Sequence, residues 1–581
     1  MAARLTALIV VAIVTITVIA GLIVGAQRDD GSGPVDLIVY NARVFAADGT
    51  APFDGAVAVR GNEILRVGET RAIRRLRRPQ TLEIDARGGT LMPGFNDAHL
   101  HLISGGLGLD RVNLLEATTY DAIADAIKAF AAKHPEQPWV VGRGWYYEPF
   151  PGGLPTRQLL DAIVPDRPAY LTAYDGHTAW VNTKALELAG VTKKTKDPQN
   201  GAIVREPKTG EPTGVLKETA KALVSDLLPE PSREERLRAL RAAIVEAHRF
   251  GITSIQNAHG DAEEFALYDE LRRTNALKVR TYSAVSIDAP ITDAQVEEID
   301  ALRRKYIEDP VFKTGAVKLM GDGVVESYTA GMLAPYANRP KEKGSPRATD
   351  EELKATVAKV DARGWQVLIH AIGDATIRQA LDAYEYAATL NRAPDRGRRH
   401  RIEHIETIDP ADVPRFASLG VIASMQPFHG NPDPSQLGVW LANLGPERAS
   451  RGWAYGSIAK AGGRLAFGSD WPVVTLDPRA GLHMAVNRTT ADGRPGGGWL
   501  PQERVSLAQA LEAYTSGAAY ASFDERRKGR VEKGMLADLV VLSADIFALP
   551  PARLLEAKVT HTIFDGKVVY ERALADKAPT D

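Results

Sequence analysis

Apolar and polar positions along this 581-residue chain fall into three patterns. The longest is a succession of short apolar runs, mostly β-branched, separated by stretches with helical spacing. Eight strand-like runs stand out, at 92–101, 252–258, 279–285, 316–320, 366–370, 401–404, 421–426 and 464–470. Near-continuous apolar runs of this length read as strands buried on both faces, as in a parallel sheet. Residues 232–249, 293–306, 350–363, 375–390 and 411–419 have helical character. The first of these opens with Ser232 as a cap and Glu234 and Glu235 in the first turn, where carboxylates face the positive end of the helix. Eight strands alternating with helices predict an α/β chain built as a (β/α)8 barrel.

The second pattern brackets the first. Short β-rich segments at 37–40, 56–60 and 64–67, and again at 537–542, 559–564 and 568–570, are separated by Gly, Asn and Asp. Neither block has enough strands to be stable alone. They are expected to pair into one small β-sandwich formed by N- and C-terminal segments. The stretch between the first and second barrel strands is far longer than an ordinary connection. Inside it, 119–134 reads as helix and 139–142 and 169–172 as strands, which predicts a large insertion folded over the barrel mouth. The division is then 1–34, a membrane anchor or signal segment with its linker; 35–90, the first part of the sandwich; 91–525, the barrel, with its insertion at about 107–230; and 526–581, the second part of the sandwich and a tail.

The third pattern is N-terminal. Residues 5–26 carry no charge, and about 20 apolar residues in a helix span a bilayer core. The run is expected to be a transmembrane helix with the body on the periplasmic or extracytoplasmic side. The alternative is a signal peptide cut after Ala26, leaving a secreted or periplasmic protein.

Composition narrows the chemistry. There is no cysteine, so a bound metal must be held by nitrogen and oxygen ligands. The net charge of −2 gives no electrostatic case for a nucleic-acid partner. Polar residues recur at the ends of the strand-like runs. His99 and His101 end the first, and residues two apart in a strand point the same way. Lys318 lies near the end of the fourth run, His370 ends the fifth, His404 the sixth and Asp470 the eighth. Each alone has a bland reading: a core histidine, a turn aspartate, or a lysine paired with Asp322. Together they fall on the C-terminal face, where barrel active sites are built.

The segment MPGFNDAHLH at 92–101 resembles the opening motif of the amidohydrolase superfamily. DGHTAWVN at 175–182, GVLKE at 214–218, KLMGDG at 318–323, HAIGD at 370–374, RIEH at 401–404, MQPFH at 425–429 and GSDWP at 468–472 resemble its family-3 branch, which includes N-substituted formamide deformylases. The resemblance implies a metal-dependent hydrolase of non-peptide carbon–nitrogen bonds, in amide, N-acyl or N-formyl compounds. It implies one or two divalent ions, with zinc expected. His99, His101 and Asp470 would hold the first ion and His370 and His404 the second. Lys318, carboxylated by CO2, would bridge them, and Asp470 would also be the general base. His177 would be catalytic or meet the substrate, or else be a structural histidine of the insertion. His429 and Trp180 are further substrate-side candidates, although Trp180 also reads as packing. His259 is left without a role, and His134, His248, His400, His483 and His561 read as structural. A carbamate, ester or lactone hydrolase, and a non-catalytic membrane-anchored binding or regulatory protein, remain alternatives. The expected partner is a small-molecule substrate; a homodimer is left open.

Overall fold

The computed structural model describes residues 35–573, apart from 116, 148, 175–177, 199–200 and 307–308. The apolar run 5–26 and His177 therefore lie outside the described residues. Among those described, no helix is long and apolar enough to cross a membrane.

All eight expected barrel strands form. They are β1 (Phe95–Leu100), β2 (Ile252–Gly260), β3 (Arg280–Ser286), β4 (Phe312–Met320), β5 (Gln366–Ala371), β6 (Arg401–His404), β7 (Ile422–Met425) and β8 (Arg464–Phe467). Each pairs in parallel with the next, from β1 to β8. The β8–β1 seam has no strand ladder. Two backbone bonds at the C-terminal ends of these strands close it: Asp470 N–H donates to His99 O at 2.7 Å, and His101 N–H to Trp471 O at 2.8 Å. A Cβ at Gly468 would stand 2.4 Å from His99 N, so this approach requires glycine. The helix Arg233–Arg249 opens with a reciprocal capping box between Ser232 and Glu235, as its sequence signals.

The two terminal β-rich blocks pair as expected, but in one hydrogen-bonded sheet. Its order is Lys567–Glu571, Val559–Phe564, Leu539–Leu542, Thr90–Pro93, Leu37–Val44, Phe53–Arg60, Glu63–Gly68. It forks at Leu37–Val44, where residues 37–40 pair with Leu82–Asp85 and residues 43–44 with Thr90 and Leu91. A buried arginine ties this sheet to the barrel. Arg280 of β3 donates to both carboxylate oxygens of Asp538, and also to Asp565 at 2.9 Å.

The insertion carries a six-stranded sheet of its own, in the order Gly201–Arg205, Pro212–Glu218, Thr178–Val181, Ala169–Ala173, Val140–Trp145, Val112–Asn113. Arg143 reaches from it to the carbonyl of Pro472 at 3.0 Å. That contact sets the insertion beside the β8 loop, two residues past Asp470. Trp180 is fully buried in the insertion's own core. Its indole N–H donates to Thr156 O at 2.8 Å, and its ring lies edge-on to Trp145 and Phe150. It packs the insertion and forms no wall of the site at the barrel mouth.

Candidate metal centre

The barrel gathers ligand-type side chains at its C-terminal mouth because they end adjacent parallel strands. One atom each of His99, His404 and Asp470 lie within 4.8 Å of one another, and all three residues are buried. His101 Nε2 is 3.2 Å from Asp470 Oδ1, and His99 Nε2 is 3.4 Å from the same oxygen. The His370 and His404 ring centroids are 4.4 Å apart. Lys318 is buried on β4. It does not pair with Asp322, whose carboxylate accepts backbone N–H groups of Gly331, Ile372 and Gly373 at 3.0–3.1 Å. Asp322 thus pins the loop after β4 to the end of β5.

Each inner histidine is held by a hydrogen bond from one ring nitrogen. His99 Nδ1 lies 2.5 Å from Glu403 Oε2, His404 Nδ1 lies 2.8 Å from Gln426 Oε1, and His370 Nε2 lies 3.2 Å from Gly323 O. All three acceptors are oxygens, so these nitrogens carry protons. The opposite nitrogen, Nε2 in His99 and His404 and Nδ1 in His370, keeps its lone pair. His99 Nε2 is buried and has no hydrogen-bond partner. An orphaned imidazole nitrogen facing a buried carboxylate costs stability unless something fills the gap. An N/O donor set of this kind fits a divalent ion.

Electrostatics keep the donors competent. Burial, with Lys318 nearby, pushes His99 down to about 4 and His370 down to about 3, and burial with His370 alongside holds His404 well below its usual value. These rings are therefore neutral at neutral pH, as ligation requires. Burial alone would raise Asp470, but His101, His99, His404 and His429 hold it well below the usual carboxylate range. Glu403 is likewise held at about 2, because Arg401 and His99 outweigh its burial. Burial lowers Lys318 against the opposing pull of Glu403 and Asp470. Asp470 and His404 both sit at positive φ, 60° and 76°, a costly conformation outside glycine that concentrates at functional sites.

His429 joins this group. Its Nε2 is 3.6 Å from Asp470 Oδ2, its Nδ1 is 3.8 Å from Glu406 Oε1, and its ring stacks over His404 at 5.9 Å. Glu406 is itself fixed by the Trp440 indole N–H at 3.0 Å. His259 lies at the exposed rim, its ring 6.5 Å from that of His101. Sequence reasoning missed Glu403, Gln426 and Glu406, and considered Asp322 only as a partner for Lys318. Only Glu403 left a signal, since Arg401 and Glu403 are two charges on one face of a strand otherwise read as buried.

The amidohydrolase family pattern matches residues 82–570. The chain is similar to Protein LONG AFTER FAR-RED 3 of Arabidopsis thaliana, 32% identical over 549 residues and covering 92% of this chain and 91% of that protein. It is 26% identical over 548 residues to an N-substituted formamide deformylase of Arthrobacter pascens, covering 92% and 98%. An uncharacterized metal-dependent hydrolase of Pyrococcus furiosus shares the fold, with TM-score 0.68 and 24% identity over 88% of this chain and 99% of that one. The match takes in the barrel, the insertion and the C-terminal arm of the terminal sheet, and so the chain belongs to the amidohydrolase family of enzymes.

Proposed function

We propose that this enzyme hydrolyses an amide-type carbon–nitrogen bond in a small molecule, with N-acyl and N-formyl amines as its substrate class. The observation that carries the reading is the buried convergence of His99, His404 and Asp470, with His99 Nε2 left without a partner. The name of the Arthrobacter relative puts N-formyl compounds first among the candidates.

In this reading His99, His101 and Asp470 hold one divalent ion and His370 and His404 a second, with zinc suited to the donors. Lys318, if its Nζ adds to CO2 with loss of a proton, would supply an N-carboxylate as a further oxygen ligand. The metal, when bound, lowers the pKa of a water and polarises the scissile carbonyl. Asp470, kept ionised by the surrounding histidines, accepts the water's proton and returns it to the departing nitrogen. His429, already aimed at Asp470, meets the substrate, and His177 is assigned the same side of the reaction by its motif. The 5–26 segment anchors the enzyme with its barrel on the extracytoplasmic side; a C-terminal reporter that appears in the cytoplasm would reverse that assignment.

The deciding experiment joins elemental analysis to a panel of N-formyl and N-acyl amines. The expected result is about one or two equivalents of divalent metal per chain and amine release that disappears with the metal. Full turnover by metal-free protein would end the proposal.

A further inference from the structure

The barrel interior below the metal centre is polar where such interiors are usually filled by branched apolar side chains. Arg401 and Glu403 face inward from β6, and both are fully buried. Arg401 Nε donates to Glu403 Oε1 at 2.8 Å and an Nη to Oε2 at 3.1 Å. Its other donors reach Gln256, the Ser424 hydroxyl at 2.8 Å, and the carbonyl of Ala98 at 2.6 Å, next to His99 in the chain. Glu403 Oε2 then receives the Nδ1 proton of His99 at 2.5 Å. His404 and His370 are backed by a neutral amide and a carbonyl. Of these three ligand candidates, His99 alone has a carboxylate in hydrogen-bond contact; the nearest carboxylate oxygen to His370 Nε2, Asp322 Oδ1, stands 3.5 Å away.

We propose that Glu403, locked by Arg401, is a positioning residue that holds His99 in the tautomer offering Nε2 to the metal and so sets how tightly the centre keeps its ion. The inference rests on the metal-centre reading above. Two effects act together. The charged acceptor excludes the tautomer protonated on Nε2, which has no lone pair to give. It also draws on the Nδ1 proton and makes Nε2 the stronger donor. Arg401 prevents the carboxylate from turning away, because both oxygens are already engaged.

Glu403→Gln separates this role from packing. The amide has a single oxygen where Arg401 Nε, Arg401 Nη and His99 Nδ1 now share two, and it carries no charge, so the Nδ1 proton of His99 loses its charged, doubly anchored acceptor. The full-length apo-protein is titrated with zinc against a chromophoric chelator, and its thermal midpoint is measured in parallel. Zinc affinity is expected to fall about 10–100-fold, the usual effect of losing such a partner. Should the single variant fail to fold with Arg401 unpaired, Arg401→Gln/Glu403→Gln removes both charges and is expected to show the same loss of affinity. Wild-type zinc affinity in a folded variant of either kind would overturn the inference while leaving the metal centre standing. A wild-type protein that takes up no zinc would overturn both.

Discussion

The backbone N–H of Asp470 donates to the carbonyl oxygen of His99 at 2.7 Å. Asp470 follows the last strand of the barrel and His99 lies in the first. With its companion from His101 N–H to Trp471 O, this hydrogen bond seals the seam, and it sets a carboxylate beside two imidazoles. The site and the closure of the barrel are the same piece of structure, and a change at the seam reaches both.

Asp470→Asn keeps the size and shape of the side chain, and its backbone bond to His99 is unaffected. The variant is expected to fold, with an unchanged circular dichroism spectrum. Its turnover number should drop by about 10²–10⁴, the range for a positioned general base. A rate within a few-fold of wild type would remove Asp470 from the chemistry.

Chelation should act on stability as well as on rate. An ion bound only by the folded state contributes about 4 kcal/mol when present at 1,000 times its dissociation constant. Dialysis against a chelator is expected to lower the thermal midpoint and abolish hydrolysis, and added zinc should restore both. A midpoint indifferent to metal would argue against occupancy of the cluster at His99, His404 and Asp470.

Arg280→Ala leaves Asp538 buried without its counter-charge. Removing one partner of a buried pair costs about 3–5 kcal/mol. The variant should unfold at a clearly lower urea concentration. Asp538→Asn should cost less, because an amide still accepts from the guanidinium.

Glu264 provides a pH test away from the metal centre. Burial pushes its carboxyl up to about 8, although the Tyr268 hydroxyl donates to it at 3.1 Å. The folded protein keeps this proton to a higher pH than the unfolded chain does. The contribution to stability is full below the ordinary carboxylate range and is lost as the pH rises toward 8. Glu264→Gln should match wild type in thermal midpoint near pH 5 and exceed it by several degrees above pH 8. Parallel curves across that range would show that the carboxyl is not perturbed.

Much of the barrel was legible because its strands are buried on both faces and so appear as unbroken apolar runs. The ligand candidates were legible because parallel strands end together, which places His99, Lys318, His370, His404 and Asp470 at one mouth. Their supports were not. Gln426 holds His404 across 22 residues and Glu403 holds His99 across 304. No local spacing encodes such pairings. Trp180 read either as packing or as a pocket wall, because an aromatic residue of the insertion serves the insertion's own core as readily as a substrate; the structure buries it in that core. The fork in the terminal sheet was also hidden, because two strands share one edge of Leu37–Val44 and the apolar pattern of that strand does not record which neighbour each half meets.

The terminal sheet also has a consequence for synthesis. Thr90 finds its hydrogen-bond partner, Ala544, 454 residues further along. At a translation rate of about 5–20 residues per second, the N-terminal strands wait roughly 20–90 s on the ribosome before that partner emerges. Throughout that interval the inner edge of Thr90–Pro93 is an open β-edge. The nascent chain is most exposed to mispairing with neighbouring polypeptides then, and a chaperone that shields residues 37–93 would do most for the yield of active enzyme.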